Sequence, residues 1–200
     1  ENNIISKIKQ FKHIKVNKFE DLPDLYNATA QILKGPKVIG WFQDRMEWGP
    51  RALGNRSILA NPTYETMREI INIKIKRREE FRPFAPAILQ EKVEDYFEIK
   101  DDNAASFMGA IYKVKDNAKK KIPSVVHIDN TARVQIVSNQ SNLKFYNLIK
   151  EFDKLTNIPV LLNTSLNVNE PICESPENAF EVFTKTSMDA LVIENWLLFK

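Results

Sequence analysis

The order of short apolar runs and amphipathic segments is the feature of this 200-residue chain that most constrains its fold. Runs such as Val38–Phe42 and Pro159–Leu162 have the length of a β-strand. None approaches the roughly 20 apolar residues that a bilayer-spanning helix needs. Other segments, such as 142–156, repeat their apolar side chains at helical spacing. Strands and helices therefore alternate, but without a strict βαβ rhythm, which predicts an α/β fold with a mixed twisted sheet flanked by helices.

The boundaries of these elements follow from caps, prolines and glycines. Asp21 and Gly35 bound the first helix, and Asn61-Pro62 opens another. Pro83 and Pro86 force an extended segment. The pattern predicts helices over 21–34, 61–75, 91–97, 142–156 and 175–183. It predicts strands or extended segments over 37–43, 81–89, 107–114, 132–137, 158–162, 190–194 and 196–199. It predicts a loop over 44–57 and a charged surface turn over 115–121.

The charge balance excludes a polybasic protein. The chain has 29 Lys and Arg residues against 26 Asp and Glu residues, a formal net charge of +3. An anion site must therefore come from local clustering. The single cysteine, Cys173, excludes an internal disulfide and a multi-cysteine metal site, and we expect it to be buried. The two histidines, His13 and His127, are too far apart for a self-contained zinc site, so we expect no protein-held metal.

The N-terminal residues carry no signal peptide, since ENNIISKIKQ lacks an apolar core. The chain begins at Glu1 without methionine, which we interpret as a piece of a longer protein. We expect residues 1–20 to be a lead-in or linker and residues 21–200 to be one domain. We expect a cytoplasmic location without membrane contact.

Two arginine-containing segments are candidates for anion binding. Glu47–Ser57 (EWGPRALGNRS) holds two of the five glycines of the chain, with Arg51 and Arg56 beside the glycine turn. Glycines let backbone N–H groups approach a ligand, and arginine binds phosphate or carboxylate with two parallel hydrogen bonds. Lys74–Pro86 (KIKRREEFRPFAP) carries a local basic patch with Lys76 and Arg82. Both could instead be solvated surface charges, and the patch could serve only the helix dipole.

Two further polar segments border predicted strands. HIDNTARVQ places Arg133 at a strand start, whereas His127 is more often a hydrogen-bonded core histidine in such a setting. NTSLNVNEP follows the strand IPVLL and crowds Asn163, Thr164, Ser165 and Asn167 at its carboxyl end, where ligands of α/β sheets sit. The alternative is a polar turn that uses these side chains for its own backbone.

Together the four segments supply arginines, a lysine and a hydroxyl–amide turn, but no evident nucleophile–base pair. Such a set of residues suits polyanion binding. It also suits stabilisation of a phosphoryl or acyl-phosphate transition state by charge and positioning.

The sequences of these segments and their order along the chain resemble the C-terminal domain of the O-carbamoyltransferases that modify nodulation factors and antibiotics. The resemblance covers about residues 21–199, and GPRALGNRS and FRPFAP are its most specific motifs. The matching strings are VIGWFQDRMEWGPRALGNRSILANP, IKRREEFRPFAPAIL, IPSVVHIDNTARVQIV, IPVLLNTSLNVNEPI and TSMDALVIENWLL.

The resemblance implies a YrdC-like domain that uses ATP, with Mg²⁺ on the nucleotide, and carbamoyl phosphate to make carbamoyl-adenylate. A preceding, metal-carrying N-terminal domain, which this chain lacks, would then pass the carbamoyl group to a sugar hydroxyl. The implied catalytic residues are Lys76, Arg82, Arg133 and Ser165. The implied nucleotide- or carbamoyl-phosphate-binding residues are Arg51, Arg56, Asn163, Thr164 and Asn167.

Three positions depart from the family pattern without removing a charged motif residue. Asp44 and Asn130 stand where the family usually has glycine, and Leu166 stands where phenylalanine is common. Two other functions stay open from the sequence. One is a YrdC-type RNA-binding or tRNA-modification domain, for which a net charge of +3 is a weak electrostatic footprint. The other is a non-catalytic domain that only supports its partner.

Overall fold

Two sheets and seven α-helices make up the part of the chain that the structure describes. The computed structural model describes residue 8 and residues 13–99 and 102–200. The strands are β1 (Lys15–Lys18), β2 (Val38–Phe42), β3 (Arg56–Ala60), β4 (Ala85–Leu89), β5 (Phe97–Glu98), β6 (Tyr112–Val114), β7 (Thr131–Ala132), β8 (Gln135–Val137), β9 (Val160–Ser165), β10 (Ala190–Ile193) and β11 (Trp196–Phe199). The helices are α1 (Leu22–Lys34), α2 (Met67–Glu69), α3 (Val93–Tyr96), α4 (Asp102–Ser106), α5 (Asp116–Lys119), α6 (Leu143–Thr156) and α7 (Pro176–Lys185). A π-helix (Ile70–Lys76) continues α2, and 3₁₀ turns occupy Gln90–Lys92 and Pro123–Val125.

The main sheet confirms the predicted mixed α/β architecture. Its eight strands lie in the order β1-β11-β10-β2-β3-β9-β4-β8, and β5-β6-β7 form a small second sheet. β10 pairs with β2 in parallel, as does β4 with β8, and the other pairs are antiparallel. β9 lies near the middle of the sheet between β3 and β4, so the polar turn after it is carried by a strand with neighbours on both sides.

Helices cover both faces of this sheet. On one face α1 and α6 pack against the sheet, with Trp41 of β2 and Phe145 of α6 fully buried. On the other face the π-helix and α7 pack, through side chains such as Ile71 and Phe183. Strands covered on both faces are apolar along their whole length, which explains why all five residues of β2 are buried.

Sequence signals for the two long C-terminal helices are confirmed by their caps. The side chain of Asn142 accepts a hydrogen bond from the Phe145 N–H and starts α6. Ser175 and Asn178 form a reciprocal capping box at the start of α7, followed by Pro176. Each cap satisfies backbone N–H groups that have no partner inside the helix.

Several sequence predictions of secondary structure are wrong. Residues 56–60 form β3 although 44–57 was expected to be a loop, because the fully buried RSILA lacks the alternation that marks a half-buried strand. The predicted strand 107–114 forms only at its end, and the helix predicted from Asn61 starts at Met67. The predicted strand 132–137 is interrupted at Arg133, and the surface turn 115–121 contains α5.

Part of the expected lead-in belongs to the main sheet. β1 pairs antiparallel with β11, and the partly buried Val16 packs against the core. The expectation for residues 1–7 and 9–12 lies outside the described residues. Across the described ranges, no helix combines the length and the apolar character that a membrane crossing demands.

Candidate active site

The buried floor of the candidate site is built around Lys76, the last residue of the π-helix. Its Nζ lies 2.6 Å from the Ser165 carbonyl oxygen, 2.9 Å from the Asn167 carbonyl oxygen and 2.7 Å from Asn167 Oδ1. Lys76 is 2% exposed. Burial, reinforced by repulsion from Arg78, lowers the pKa of Lys76 to about 7. A buried ammonium donating to the turn after β9 fixes that turn and leaves a positive charge in a poorly solvated place.

Arg78 joins this floor and was missed by the sequence analysis. Its Nε donates to Asn72 Oδ1 at 2.8 Å, and its guanidinium carbon lies 5.0 Å from the centre of the Phe84 ring. Burial lowers the pKa of Arg78, and the charges of Arg82 and Arg133 lower it further. The left-handed Arg77 (φ 48°) ends the π-helix between Lys76 and Arg78. The sequence signal was the two-residue spacing of Lys76 and Arg78 at a helix end.

Arg82 lies at the exposed rim of the site. Asn72 Nδ2 donates to the carbonyl oxygens of Glu80 and Arg82, each at 3.0 Å, which holds the backbone of this segment to the π-helix. The Arg82 side chain is 52% exposed, and its Nε contacts Glu79 Oε2 at 2.9 Å. An exposed ion pair of this kind contributes little stability, so Arg82 can exchange it for a ligand.

Arg133 interacts electrostatically with Arg78 and with Arg51, which lie in other parts of the chain. Burial lowers the pKa of Arg133, and the charge of Arg51 lowers it further. The Nε of Arg133 is buried and has no hydrogen-bond partner, whereas Arg51 is exposed on the loop before β3. Each of these like charges interacts with at least one other, and together they form what we call the cationic cluster: Lys76, Arg78, Arg82, Arg133 and Arg51.

Two predicted binding residues, Arg56 and Asn163, make hydrogen bonds within the protein. Arg56 is buried, donates to the carbonyl oxygens of Gln43, Asp44 and Asn55, and stacks 3.5 Å from the centre of the Phe42 ring. It therefore ties together the two ends of the loop that carries Arg51.

Asn163 is likewise buried and uses its side-chain N–H groups on Ala52 and Gln135. Thr164 is half-buried and lies opposite Ile58 in the β3–β9 pair, on the other face of β9 from Asn163. Ser165 and Asn167 lie at the floor with Lys76, and Ser165 Oγ lies 2.7 Å from Asn167 Oδ1.

Left-handed backbone explains two of the departures from the family pattern. Asp44 has φ 45° and Asn130 has φ 64°. Glycine adopts such angles without steric cost, and Asn and Asp tolerate them better than other side chains. Glu194 holds Asp44 in place, since its Oε1 accepts from the Asp44 N–H at 2.7 Å and its Oε2 contacts Lys144.

Of the remaining reactive side chains, His127 is hydrogen-bonded and Cys173 is buried. His127 Nδ1 lies 3.1 Å from Thr131 Oγ1, and burial lowers the pKa of His127. Cys173 is buried as expected, and desolvation raises its pKa to about 12, so it is a poor nucleophile. Within residues 13–99 and 102–200, no three His, Cys, Asp or Glu side chains are grouped to hold a metal.

A cavity of about 590 Å³ lies beside the cluster, along the 168–174 turn and α7. Its walls carry charges of both signs, including Arg77, Glu170, Glu181 and Lys185, and no member of the cationic cluster lines it. Its mixed charge suits a polyphosphate less well than the cluster does, so we place the candidate site at the cluster.

Comparison with known proteins shows which family the chain resembles. A family model described as Carbamoyltransferase C-terminus matches residues 30–200. The nodulation protein NolNO of Sinorhizobium fredii is 40% identical over 190 residues, covering 94% of this chain and 28% of that protein. The nodulation protein NolO of Bradyrhizobium diazoefficiens is 39% identical over 190 residues, covering 94% of this chain and 34% of that protein. The chain thus spans about a third of these relatives.

Solved structures share the fold at low sequence identity. E. coli YciO matches with a TM-score of 0.61 at 14% identity, covering 89% of this chain and 81% of that one. P. abyssi Sua5 complexed with L-threonine matches with a TM-score of 0.60 at 14% identity, covering 86% of this chain and 47% of that one. Full-length HypF in its phosphate- and nucleotide-bound form matches with a TM-score of 0.58 at 19% identity, covering 93% of this chain and 22% of that one. These likenesses confirm the YrdC-like fold.

Sequence similarity supports a more specific family assignment than the shared fold does. The family-model match extends over most of the chain and ends at its last residue. The nodulation relatives align over nearly the whole chain at about 40% identity. The chain belongs to the carbamoyltransferase family, as its C-terminal, YrdC-like domain.

Proposed function

We propose that this domain binds ATP and carbamoyl phosphate at the cationic cluster and joins them into carbamoyl-adenylate. The observation that carries the proposal is the convergence of five cations from three parts of the chain, with the charge of Lys76 held in a buried position. Two phosphorylated substrates bring several negative charges together, and fixed cations are the protein's means of offsetting that repulsion.

The chemistry requires charge and positioning more than a protein nucleophile. Carbamoyl phosphate loses its phosphate to water and leaves carbamate. A carbamate oxygen then bonds to the α-phosphorus of ATP, the bond to the β-phosphate oxygen breaks, and pyrophosphate leaves. The guanidinium groups of the cluster would bind the non-bridging oxygens on which charge collects. Lys76 would hold the Ser165–Asn167 turn and add its charge from below.

Mg²⁺ would enter on the nucleotide rather than on the protein. The described residues offer no group of three metal-ligating side chains, so they do not fit a resident metal, and we assign no step to one.

Transfer of the carbamoyl group to a sugar hydroxyl would need the part of the family's longer proteins that this chain does not span. We therefore expect the 200-residue chain to yield no carbamoylated sugar by itself. The partner in the complete reaction would be the N-terminal carbamoyl-transfer domain.

The test is pyrophosphate release from ATP, Mg²⁺ and carbamoyl phosphate, with carbamoyl phosphate omitted as the control. Release that depends on carbamoyl phosphate supports the proposal. Failure of the folded chain to bind ATP at millimolar concentration in calorimetry would overturn it. A parallel binding measurement with tRNA tests the RNA-binding alternative. Nanomolar tRNA affinity that falls steeply as the salt concentration rises would favour a nucleic-acid-binding function.

A further inference from the structure

The loop that carries Arg51 is held to the sheet by two buried amide side chains. Gln135 Nε2 donates to the Leu53 carbonyl oxygen at 2.8 Å, and Asn163 Nδ2 donates to the Ala52 carbonyl oxygen at 3.0 Å. The two amides also bond each other, since Asn163 Nδ2 lies 2.7 Å from Gln135 Oε1. Gln135 is 3% exposed and Asn163 is 1% exposed. Two consecutive carbonyl groups of the loop are therefore fixed by one amide pair.

The side chains of Gln135 and Asn163 meet over β4, the strand that lies between β8 and β9. Gln135 pairs with Ala87 and Asn163 pairs with Ala85, so both amides lie over β4. Side chains two residues apart share a face of a strand, and alanine has the smallest side chain that a strand normally carries there. The two alanines thus leave the space in which the longer amides reach each other and the loop.

Each member of the pair lies two residues from a site residue. Gln135 follows Arg133 by two positions, and Asn163 precedes Ser165 by two positions. The carbonyl groups that they hold belong to the two residues after Arg51. The pair therefore connects the three segments that carry Arg51, Arg133 and Ser165.

Glu47, which belongs to the same loop, braces it internally. Its Oε1 accepts hydrogen bonds from the N–H groups of Leu53, Asn55 and Arg56, at 2.7, 2.7 and 3.1 Å. Close packing adds to this, because a Cβ on Gly54 (φ 105°) would lie 2.2 Å from Phe145. Backbone amides and carbonyls are thus both fixed, while the Arg51 side chain stays exposed.

We call the hydrogen bonds from Gln135 and Asn163 to this loop the clamp, and they act at a site where charges of the same sign lie close together. The charges of Arg51 and Arg133 repel, and before an anion binds, this repulsion favours movement of the loop away from the sheet. We propose that Gln135 and Asn163 are positioning residues, which hold Arg51 at a fixed separation from Arg133 so that both can bind one phosphorylated ligand. The ligand assignment rests on the proposed function, whereas the clamp itself does not.

The first experiment measures ATP affinity by calorimetry in a double-mutant cycle. Gln135→Met and Asn163→Leu remove the hydrogen bonds with little change of volume. Because each acts through Arg51, we expect each to weaken ATP binding about tenfold in the wild-type background but less than about twofold in an Arg51→Ala background. Equal losses in both backgrounds would overturn the inference.

Asn61→Leu is the matched control. Asn61 is buried, and its Nδ2 donates to the Lys34 carbonyl oxygen at 3.0 Å, away from the cluster. The substitution Asn61→Leu removes a similar buried amide contact. It should therefore lower the melting temperature about as much as Asn163→Leu does, while leaving ATP affinity unchanged. An equal loss of ATP affinity in Asn61→Leu would show that general destabilisation, and not positioning, causes the effect.

The second experiment is hydrogen exchange without ligand, which separates this inference from the proposed function. Gln135→Met should accelerate exchange at the amides of residues 53–56, and Asn61→Leu should not. If wild-type protein binds no ATP, the proposed function falls, and the exchange data still decide whether the amide pair holds the loop. Unchanged protection at residues 53–56 in both Gln135→Met and Asn163→Leu would overturn the clamp.

Discussion

The floor and the rim of the cationic cluster hold their charges in opposite ways. Lys76 on the floor is buried and saturated with acceptors from the turn after β9. Arg82 on the rim is half-exposed, with only Glu79 as an ion-pair partner. The fold fixes the position of the floor charge at a desolvation cost, whereas the rim charge can move to a ligand. The floor should therefore control pH dependence and geometry, and the rim should control charge and salt dependence.

The largest expected effect comes from removing the floor charge. Lys76→Met should weaken ATP binding by about a hundredfold, the upper end of what one charge-assisted hydrogen bond contributes. Calorimetry at pH 7 is the measurement, and Lys74→Met, an exposed lysine on the same π-helix, is the control. If both variants lose affinity equally, the floor has no special role and the comparison fails.

The protonation of Lys76 distinguishes the floor from the rim through the pH dependence of ATP binding and of stability. With a pKa of about 7, Lys76 loses its proton as the pH rises from 7 to 9, so ATP affinity of the wild type should fall over that range. Because the pKa in the folded chain lies below the ordinary 10.5, the unfolded chain binds more protons between about pH 7 and 10.5. The free energy of unfolding should therefore rise with pH in that window. Lys76→Met should flatten both profiles, as titration calorimetry and denaturant unfolding would measure.

An effect that is at most as large is expected at the rim. Arg82→Ala should weaken ATP or carbamoyl phosphate binding about ten- to a hundredfold, since a charge-assisted contact contributes roughly 1.5–3 kcal/mol. Arg77→Ala should change binding little, because Arg77 lies outside the cluster and donates to the Lys185 carbonyl oxygen. The loss in Arg82→Ala should also shrink at high salt. Equal losses in the two variants, with intact fold, would mean that only bulk charge matters.

Arg56 provides an arginine that belongs to neither region. Arg56→Lys cannot reach three carbonyl oxygens with the geometry of a guanidinium, so the free energy of unfolding should fall by about 2 kcal/mol. ATP affinity should change by less than about threefold, because the charge of Arg56 is spent on Gln43, Asp44 and Asn55. Urea unfolding and calorimetry measure the two quantities. A large loss of affinity with unchanged stability would return Arg56 to the binding site.

The smallest effect is expected at Cys173, which lies near the floor but is buried. Cys173→Ala should leave ATP affinity unchanged, and a thiol reagent should modify Cys173 only after unfolding. The reason is its burial and its pKa of about 12, which keeps the thiol protonated. Fast labelling of the native chain at pH 7 would show that the turn around Cys173 opens, and that the floor is less fixed than the comparison requires.

The sequence predicted features that depend on local spacing. The amphipathic helix α6, the capped helix α7 and the mixed sheet followed from periodicity, caps and element order. At the site, the family resemblance implied Lys76, Ser165 and Asn167, and the structure brings these side chains into contact. Their role in binding or catalysis stays a prediction. The left-handed angles of Asp44 and Asn130 agree with the glycines usual at those positions.

Features that depend on pairing across the sheet could not be predicted. The burial of β3 follows from neighbours on both sides, β2 and β9, which are distant in sequence. Arg56 and Asn163 have the residue types of ligand-binding side chains, and only the fold shows that both donate hydrogen bonds to carbonyl groups of the loop around Arg51. Arg78 is the opposite case. Its charged neighbours in sequence suggested a solvated side chain, whereas in the fold it is half-buried within the cationic cluster.

The pairing of β1 with β11 brings early and late parts of the chain together at one border of the sheet. Lys15 and Phe199 are directly opposed partners, and such partners lie about 5 Å apart between their Cα atoms. The strands that carry Ser165 and the Arg133 segment, β9 and β8, lie toward the other border. A circular permutant that connects Lys200 to Glu1 by a flexible linker and opens the chain near the exposed Lys120 would therefore keep every strand neighbour of the site. In this domain the order of the polypeptide and the geometry of the site are separable.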